Sequence, residues 1–91
     1  MSDEHLTEEK LIEILNKARE EVTVGALYRH AKTGGEYIVT DVVLAEATLK
    51  PQVIYRAEYG DEITWARELD AFVDMVELNG KTVPRFVKIE L

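Results

Sequence analysis

From Ala26 to the C-terminus the chain runs as short stretches of alternating apolar and polar residues, each ended by a turn-forming group. That pattern restricts the fold to antiparallel β structure with tight connections. Ala26 to Ala31 and Glu36 to about Ala45 flank a Lys32-Thr33-Gly34-Gly35 turn and read as one hairpin. Leu49-Lys50-Pro51 breaks the alternation, after which Gln52 to Tyr59 and Glu62 to Arg67 flank Gly60-Asp61 as a second hairpin. Asn79-Gly80, the strongest of the turn signals, separates Val76-Glu77-Leu78 from Lys81-Thr82-Val83 in a third. About six strands result. Glu68 to Asp74 lacks alternation and reads as a single helical turn with Leu69, Phe72 and Val73 facing inward. Pro84 cannot donate to a ladder, which places the strand through Thr82 to Phe86 at an edge.

Before this region the period is helical. Leu11, Leu15, Ala18 and Val22 recur at i, i+4, i+7 and i+11, with Ile12 and Ile14 widening the stripe, and the spacing predicts an amphipathic helix over 7–21. Thr7 is the expected N-cap, Glu8 and Glu9 occupy the first turn beside the exposed amides, and Glu13 and Lys17 stand four apart. The chain of 91 residues is the size of one folding unit: an acidic helical extension over 1–22, then a small β domain over 23–91. The expected fold is mainly β, a small, partly open antiparallel barrel resembling SH3 or Tudor domains with the helix against one side. An α+β open sheet with the helix packed across it is the alternative.

Seven acids against three bases fall in residues 1–22, and eleven against eight in the remainder, giving a net charge of −7. An acidic chain neutralises few phosphates, so tight nonspecific DNA binding is disfavoured and any basic patch must be small. The absence of cysteine excludes disulfides, a thiolate nucleophile and cysteine-ligated zinc. The polar start, MSDEHLTEEK, has no secretory pattern, and no apolar run approaches the ~20 residues of a membrane span. The expectation is a cytoplasmic protein without membrane contact.

The middle hairpin concentrates chemistry. A two-residue turn at Gly60-Asp61 would set Arg56 opposite Trp65 and Ile54 opposite Arg67 on one face, leaving Val53, Tyr55, Ala57 and Tyr59 with Thr64 and Ala66 on the other. The second set is the more core-like, so Trp65 becomes a surface stacking platform beside two arginines. A three-residue loop would instead bring Trp65 beside Ala57, and Trp65 itself also fits a core position. In the first hairpin, alternation puts Tyr28 and His30 on one face and Arg29 on the other.

His30 titrates near neutral pH and could serve as a general base, with Asp61 as the carboxylate to orient it. No Ser or Cys stands in a triad-like arrangement with it, which favours a structural histidine. His5 lies in the polar terminus, so a multi-histidine metal site is not expected, and Glu58, Asp61 and Glu62 read as a solvated turn. Lys32-Thr33-Gly34-Gly35 lacks the Walker pattern and precedes a strand, so no nucleotide cofactor is implied.

Three stretches, GALYRHAKTGGEYIV, PQVIYRAEYGDEITWAR and ELNGKTVPRF, together resemble the bacterial family known as domain of unknown function 1653, over residues 25–86. The family pattern falls here on Gly25, Tyr28, Arg29, His30, Lys32, Ile54, Tyr55, Tyr59, Gly60, Asp61, Trp65, Arg67, Val83, Pro84, Arg85 and Phe86. The resemblance implies a compact β domain and no assigned reaction. Where the family shows His-Ser-Glu-Thr after the long second strand this chain has Ala45-Glu46-Ala47-Thr48. Ala31 and Glu68 replace an aromatic and a proline that the family often carries. A reactive centre built on that His and Ser would be missing here.

The expected role is a noncatalytic binding module. Tyr28, Arg29, His30, Tyr55, Arg56, Trp65 and Arg67 are its candidate ligand-binding residues, with no catalytic or metal-ligating set and no cofactor. A small anionic ligand such as a nucleotide, a single-stranded nucleic acid or an anionic peptide would suit them, because stacking adds ~1–3 kcal/mol per base without a strongly basic surface. A protein–protein adaptor docking through its helix, or a small His-dependent hydrolase, is the alternative. The chain is expected to be a monomer or weak homodimer.

Overall fold

The computed structural model describes residues 7–90; Ser2 and His5 lie outside them. The order of elements is α1 (Glu8–Glu21), β1 (Leu27–His30), β2 (Glu36–Leu44), β3 (Pro51–Ala57), β4 (Thr64–Glu68), α2 (Leu69–Phe72), β5 (Met75–Leu78), β6 (Lys81–Pro84) and β7 (Phe86–Lys88). Five strands form an antiparallel sheet in the order β4-β3-β2-β1-β7, and β5 and β6 form a separate two-stranded ribbon.

The sheet is open. Closing a barrel would require β4 to pair with β7, but these are the two edges, so the expected mainly β fold with an N-terminal helix is present without closure into a barrel. The apolar face is closed by helices instead. Ala18 of α1 and its C-cap Val22, with Leu15 partly buried, pack with Leu69 and Phe72 of α2 against Tyr28, Val39, Val42, Val53, Tyr55 and Phe86. This inner face holds the core, and burial of its apolar area is the main stabilising force.

Helix α1 begins as its sequence requires. The Lys10 N–H donates to Thr7 Oγ1 at 3.1 Å, satisfying one of the first-turn donors that have no partner within the helix. The buried stripe is narrower than the sequence suggested, since Ile12 is 49% exposed. Lys10 pairs with Glu13 at 3.4 Å, while the anticipated Glu13–Lys17 pair is absent among the described residues. Arg19 Nη2 donates to the Val42 carbonyl at 3.1 Å and ties the last turn to β2. The ladder there is irregular between Val39 and Asp41, so Val39 and Val42, three apart, both reach the core.

Asn79 and Gly80 take φ of 54° and 79°, the left-handed pair that a two-residue hairpin turn needs. At α2 the helical turn forms as expected, burying Leu69 and Phe72 but leaving Val73 37% exposed. Pro84 ends β6 on the two-stranded ribbon, where each strand is an edge, and Phe86–Lys88 forms a seventh strand not anticipated as separate.

The middle hairpin differs from expectation in a way that matters for the site. A turn does form, with the Glu62 N–H donating to the Tyr59 carbonyl at 3.1 Å. However, Glu62 adopts φ of 56°, the strands stop at Ala57 and Thr64, and the ladder shifts by one residue. Tyr55 therefore faces Trp65, Val53 faces Arg67 and Arg56 faces Thr64. A one-residue slip moves side chains to the opposite face. Trp65 and Arg67 consequently join Tyr55 on the inner face, and Arg56 stands on the outer one.

Two stability outcomes follow from this packing. Deleting residues 1–22 removes Ala18 and Val22 from the core, and circular dichroism should show loss of the cooperative thermal transition. Phe72→Ala should cost about 3–5 kcal/mol in urea unfolding, the range for removing a buried aromatic.

Candidate functional site

The register of β3 and β4 decides which chemistry shares a surface. Along the inner face, Trp65 and Arg67 of β4 adjoin Tyr55 of β3, while His30 of β1 lies across from Phe86 of β7. Tyr37 of β2, which the sequence reading did not select, stands beside Tyr28 and Ala57 and packs edge-to-face on Tyr55, Tyr59 and Phe86. The signal that identifies it is the first hairpin itself, since a turn at Lys32 to Gly35 places Tyr37 opposite Tyr28.

The seven candidates divide into three groups. Tyr28 is a core residue: its ring meets Phe72 edge-on, and its hydroxyl oxygen accepts from the Thr23 N–H at 3.0 Å. Arg29 and Arg56 lie on the outer face, each held by a carboxylate, Arg29 by Glu36 at 3.0 Å and Arg56 by Glu58 at 3.1 Å. His30, Trp65 and Arg67 remain accessible on the inner side of the sheet, with Tyr55 buried in the core beneath them. The surface expected to combine Arg56 with Trp65 does not exist, because the register shift separates them.

Trp65 is half exposed and Tyr59 is 53% exposed, and together with Ala57, Gly60, Asp61 and Ile63 they border a groove of about 270 Å3. Tyr59 is held from behind: its hydroxyl lies 2.6 Å from that of Tyr37, and a Cβ on Gly35 would fall 3.0 Å from its ring. Any larger residue at position 35 would require the Tyr59 ring to shift. Burial, followed by the Tyr59 hydrogen bond, pushes the Tyr37 hydroxyl up to about 12. A larger depression of about 520 Å3 is bordered by Thr33, Gly34, Gly35, Glu36, Glu58 and Tyr59, with Glu36 and Glu58 each paired to an arginine.

Electrostatically the inner face contrasts with the acidic chain around it. Arg67 Nε donates to the Ala71 carbonyl at 3.0 Å, and among the described residues no carboxylate lies within 4.0 Å of its guanidinium. Burial raises the Tyr55 pKa, and the neighbouring Arg67 partly offsets this. Arg85, a residue of the family pattern absent from the candidate set, grips Asp74 through Nε to Oδ1 at 2.6 Å and Nη2 to Oδ2 at 3.0 Å. That fork holds the Asp74 carboxyl below its ordinary range.

His30 is a turn residue. Its Nδ1 accepts from the Lys32 N–H at 3.2 Å and the Thr33 N–H at 3.3 Å, which leaves the proton on Nε2, and its ring meets Phe86 edge-on. Burial lowers its pKa, and the charges of Arg85, Arg67 and Lys32 lower it further. Neither Asp61 nor any other described carboxylate is hydrogen-bonded to it, so the pairing that a general base would use is missing. Among the described residues no three His, Asp or Glu side chains converge as metal ligands.

The lowered pKa of His30 has a definite sign in stability. Below the ordinary value of 6.5 the unfolded chain binds the proton more readily than the folded one, so stability falls from there down to the folded pKa and then levels. Asp74 acts separately: its contribution is present above 3.8 and lost as pH falls through its still lower folded pKa. Melting temperatures should therefore drop as pH falls below about 6.5. His30→Asn keeps an acceptor for the two amides and should flatten that first step.

Comparison with known proteins agrees with the architecture. The family model described as a protein of unknown function, DUF1653, matches residues 26–88. A solved structure, the crystal structure of a DUF1653 protein from Bordetella bronchiseptica, superposes with a TM-score of 0.65 at 25% identity, covering 71% of this chain and 85% of that one. No curated protein matches. With the family model spanning well over half the chain and the same fold in a solved relative, this protein belongs to the DUF1653 family.

Proposed function

We propose that the chain is a binding module for a small anionic ligand with a flat ring, of the size and chemistry of a mononucleotide, held at the Trp65–Arg67 end of the inner face. The observation that carries this reading is Arg67, partly buried beside Tyr55 and two residues from half-exposed Trp65, with no carboxylate counter-ion among the described residues. A guanidinium in that setting favours a phosphate or carboxylate, and an exposed indole on the same face supports a ring. The net charge of −7 favours a single nucleotide-sized anion over a long polyanion. The engagement of His30 by two backbone amides favours binding over catalysis.

A two-dimensional NMR titration with mononucleotides should give saturable shifts centred on the Trp65 indole. Trp65→Ala and Arg67→Ala should each weaken binding about tenfold or more, equivalent to about 1.4 kcal/mol. Arg29→Ala and Arg56→Ala, on the opposite face, should leave it unchanged. Equal loss from the outer-face variants, or none from the inner-face pair, would sink the assignment.

A further inference from the structure

Strand β4 is an edge of the five-stranded sheet, and its main chain is only half used. The Ala57 N–H donates to the Ile63 carbonyl at 2.9 Å, which fixes the alternation: positions 63, 65 and 67 turn their peptide groups toward β3. The N–H and C=O of Thr64 and Ala66, and the N–H of Glu68, face away from the sheet. No described residue makes a backbone hydrogen bond to that side, and Thr64, Trp65, Ala66 and Glu68 are all exposed. The strand carries no proline and no lysine, the residues that usually block edge pairing. At the other edge, β7 is only three residues long and ends in Lys88.

We infer that this edge pairs with β4 of a second copy of the chain, antiparallel about a two-fold axis through Ala66. The side chains support that occupant because Thr64-Trp65-Ala66-Arg67-Glu68 is complementary to its own reverse. With Ala66 facing Ala66 of the partner subunit, the outward peptide groups exchange reciprocal hydrogen bonds, and Glu68 N–H meets the partner's Thr64 carbonyl. On the inner face Trp65 then lies opposite the partner's Arg67 in a non-hydrogen-bonded pair, where side chains approach most closely and a cation can lie on an indole. On the outer face Thr64 meets the partner's Glu68 in the row that already contains Arg56. The small side chain of Ala66 sits on the axis, where the two copies come nearest. A two-fold interface demands such self-complementarity. The backbone pairing depends on β4 alone, but Trp65 and Arg67 are also the proposed ligand contacts, so the dimer is tested on protein without added ligand.

Two chains of net charge −7 repel, so the dimer is weak and tightens as salt screens the repulsion. Sedimentation equilibrium over about 10 µM to about 1 mM should show the mass rising from one chain toward two. Amide exchange on the same unsubstituted protein should slow several-fold at Ala66 and Glu68 as concentration rises, with Val87 unchanged. Ala66→Lys sets two like charges on the axis, and Ala66→Pro removes a donor that β3 does not use; each should weaken association at least tenfold. A mass of one chain throughout, a dimer without protection at Ala66, or one that survives Ala66→Lys overturns the inference. The exchange measurement decides the matter even if a variant fails to fold.

Discussion

The rest of the structure depends on one aromatic stack. Phe72 from the single turn of α2 and Phe86 from β7 lie with ring centroids 4.2 Å apart and planes within 3° of parallel. Tyr55 meets both rings edge-on, and Tyr28 meets Phe72 in the same manner. A three-residue strand pairing only with β1 has little hold of its own; anchoring Phe86 in the core keeps it in the sheet. Immediately beside the stack, the Arg85–Asp74 fork clamps the start and end of the β5–β6 ribbon to one another. The ribbon, which adds little to the main core beyond its own buried Val76, is thereby fixed at its base.

Around that centre the sheet separates two electrostatic environments. On the outer face, Arg29 and Arg56 are each neutralised by a neighbouring glutamate. Near the inner face, Arg85, Arg67 and Lys32 all lower the pKa of His30, and Asp74 is hydrogen-bonded to Arg85 while also feeling the charge of Arg67. The unequal distribution means that a chain with excess negative charge still presents a local positive field beside aromatic rings. Burial strengthens such a field relative to one in bulk water.

Where one local interaction sufficed to define a feature, the sequence revealed it. Thr7 caps because its hydroxyl reaches the Lys10 amide, Asn79-Gly80 turns because both residues accept positive φ, and Ala18 and Val22 are buried, with Leu11 and Leu15 partly so, because their period is helical. Tyr28 and His30 also share a face, as strand alternation requires. Features that required two distant choices to agree were not legible. The left-handed Glu62 carries no glycine or asparagine to announce it, yet it shifts β4 by one residue and exchanges Arg56 for Tyr55 beside Trp65. Barrel closure was equally hidden, because whether β4 and β7 meet depends on how α1 and α2 fill the inner face. Arg85 was visible as part of a family pattern, but its place near His30 arises only when β7 returns to β1.

That return also orders events in time. Strand β1 pairs on one side with β2, its immediate successor, and on the other with β7, from the far end of the chain: Tyr28 with Lys88, Arg29 with Val87 and His30 with Phe86. During synthesis the helix and the β1–β2–β3 meander leave the ribosome with their apolar side still lacking Phe72 and Phe86. The nascent chain can gather secondary structure early, but its core closes only once β7 is free to reach β1, so the decisive step of folding waits on the most distant pairing in the sheet.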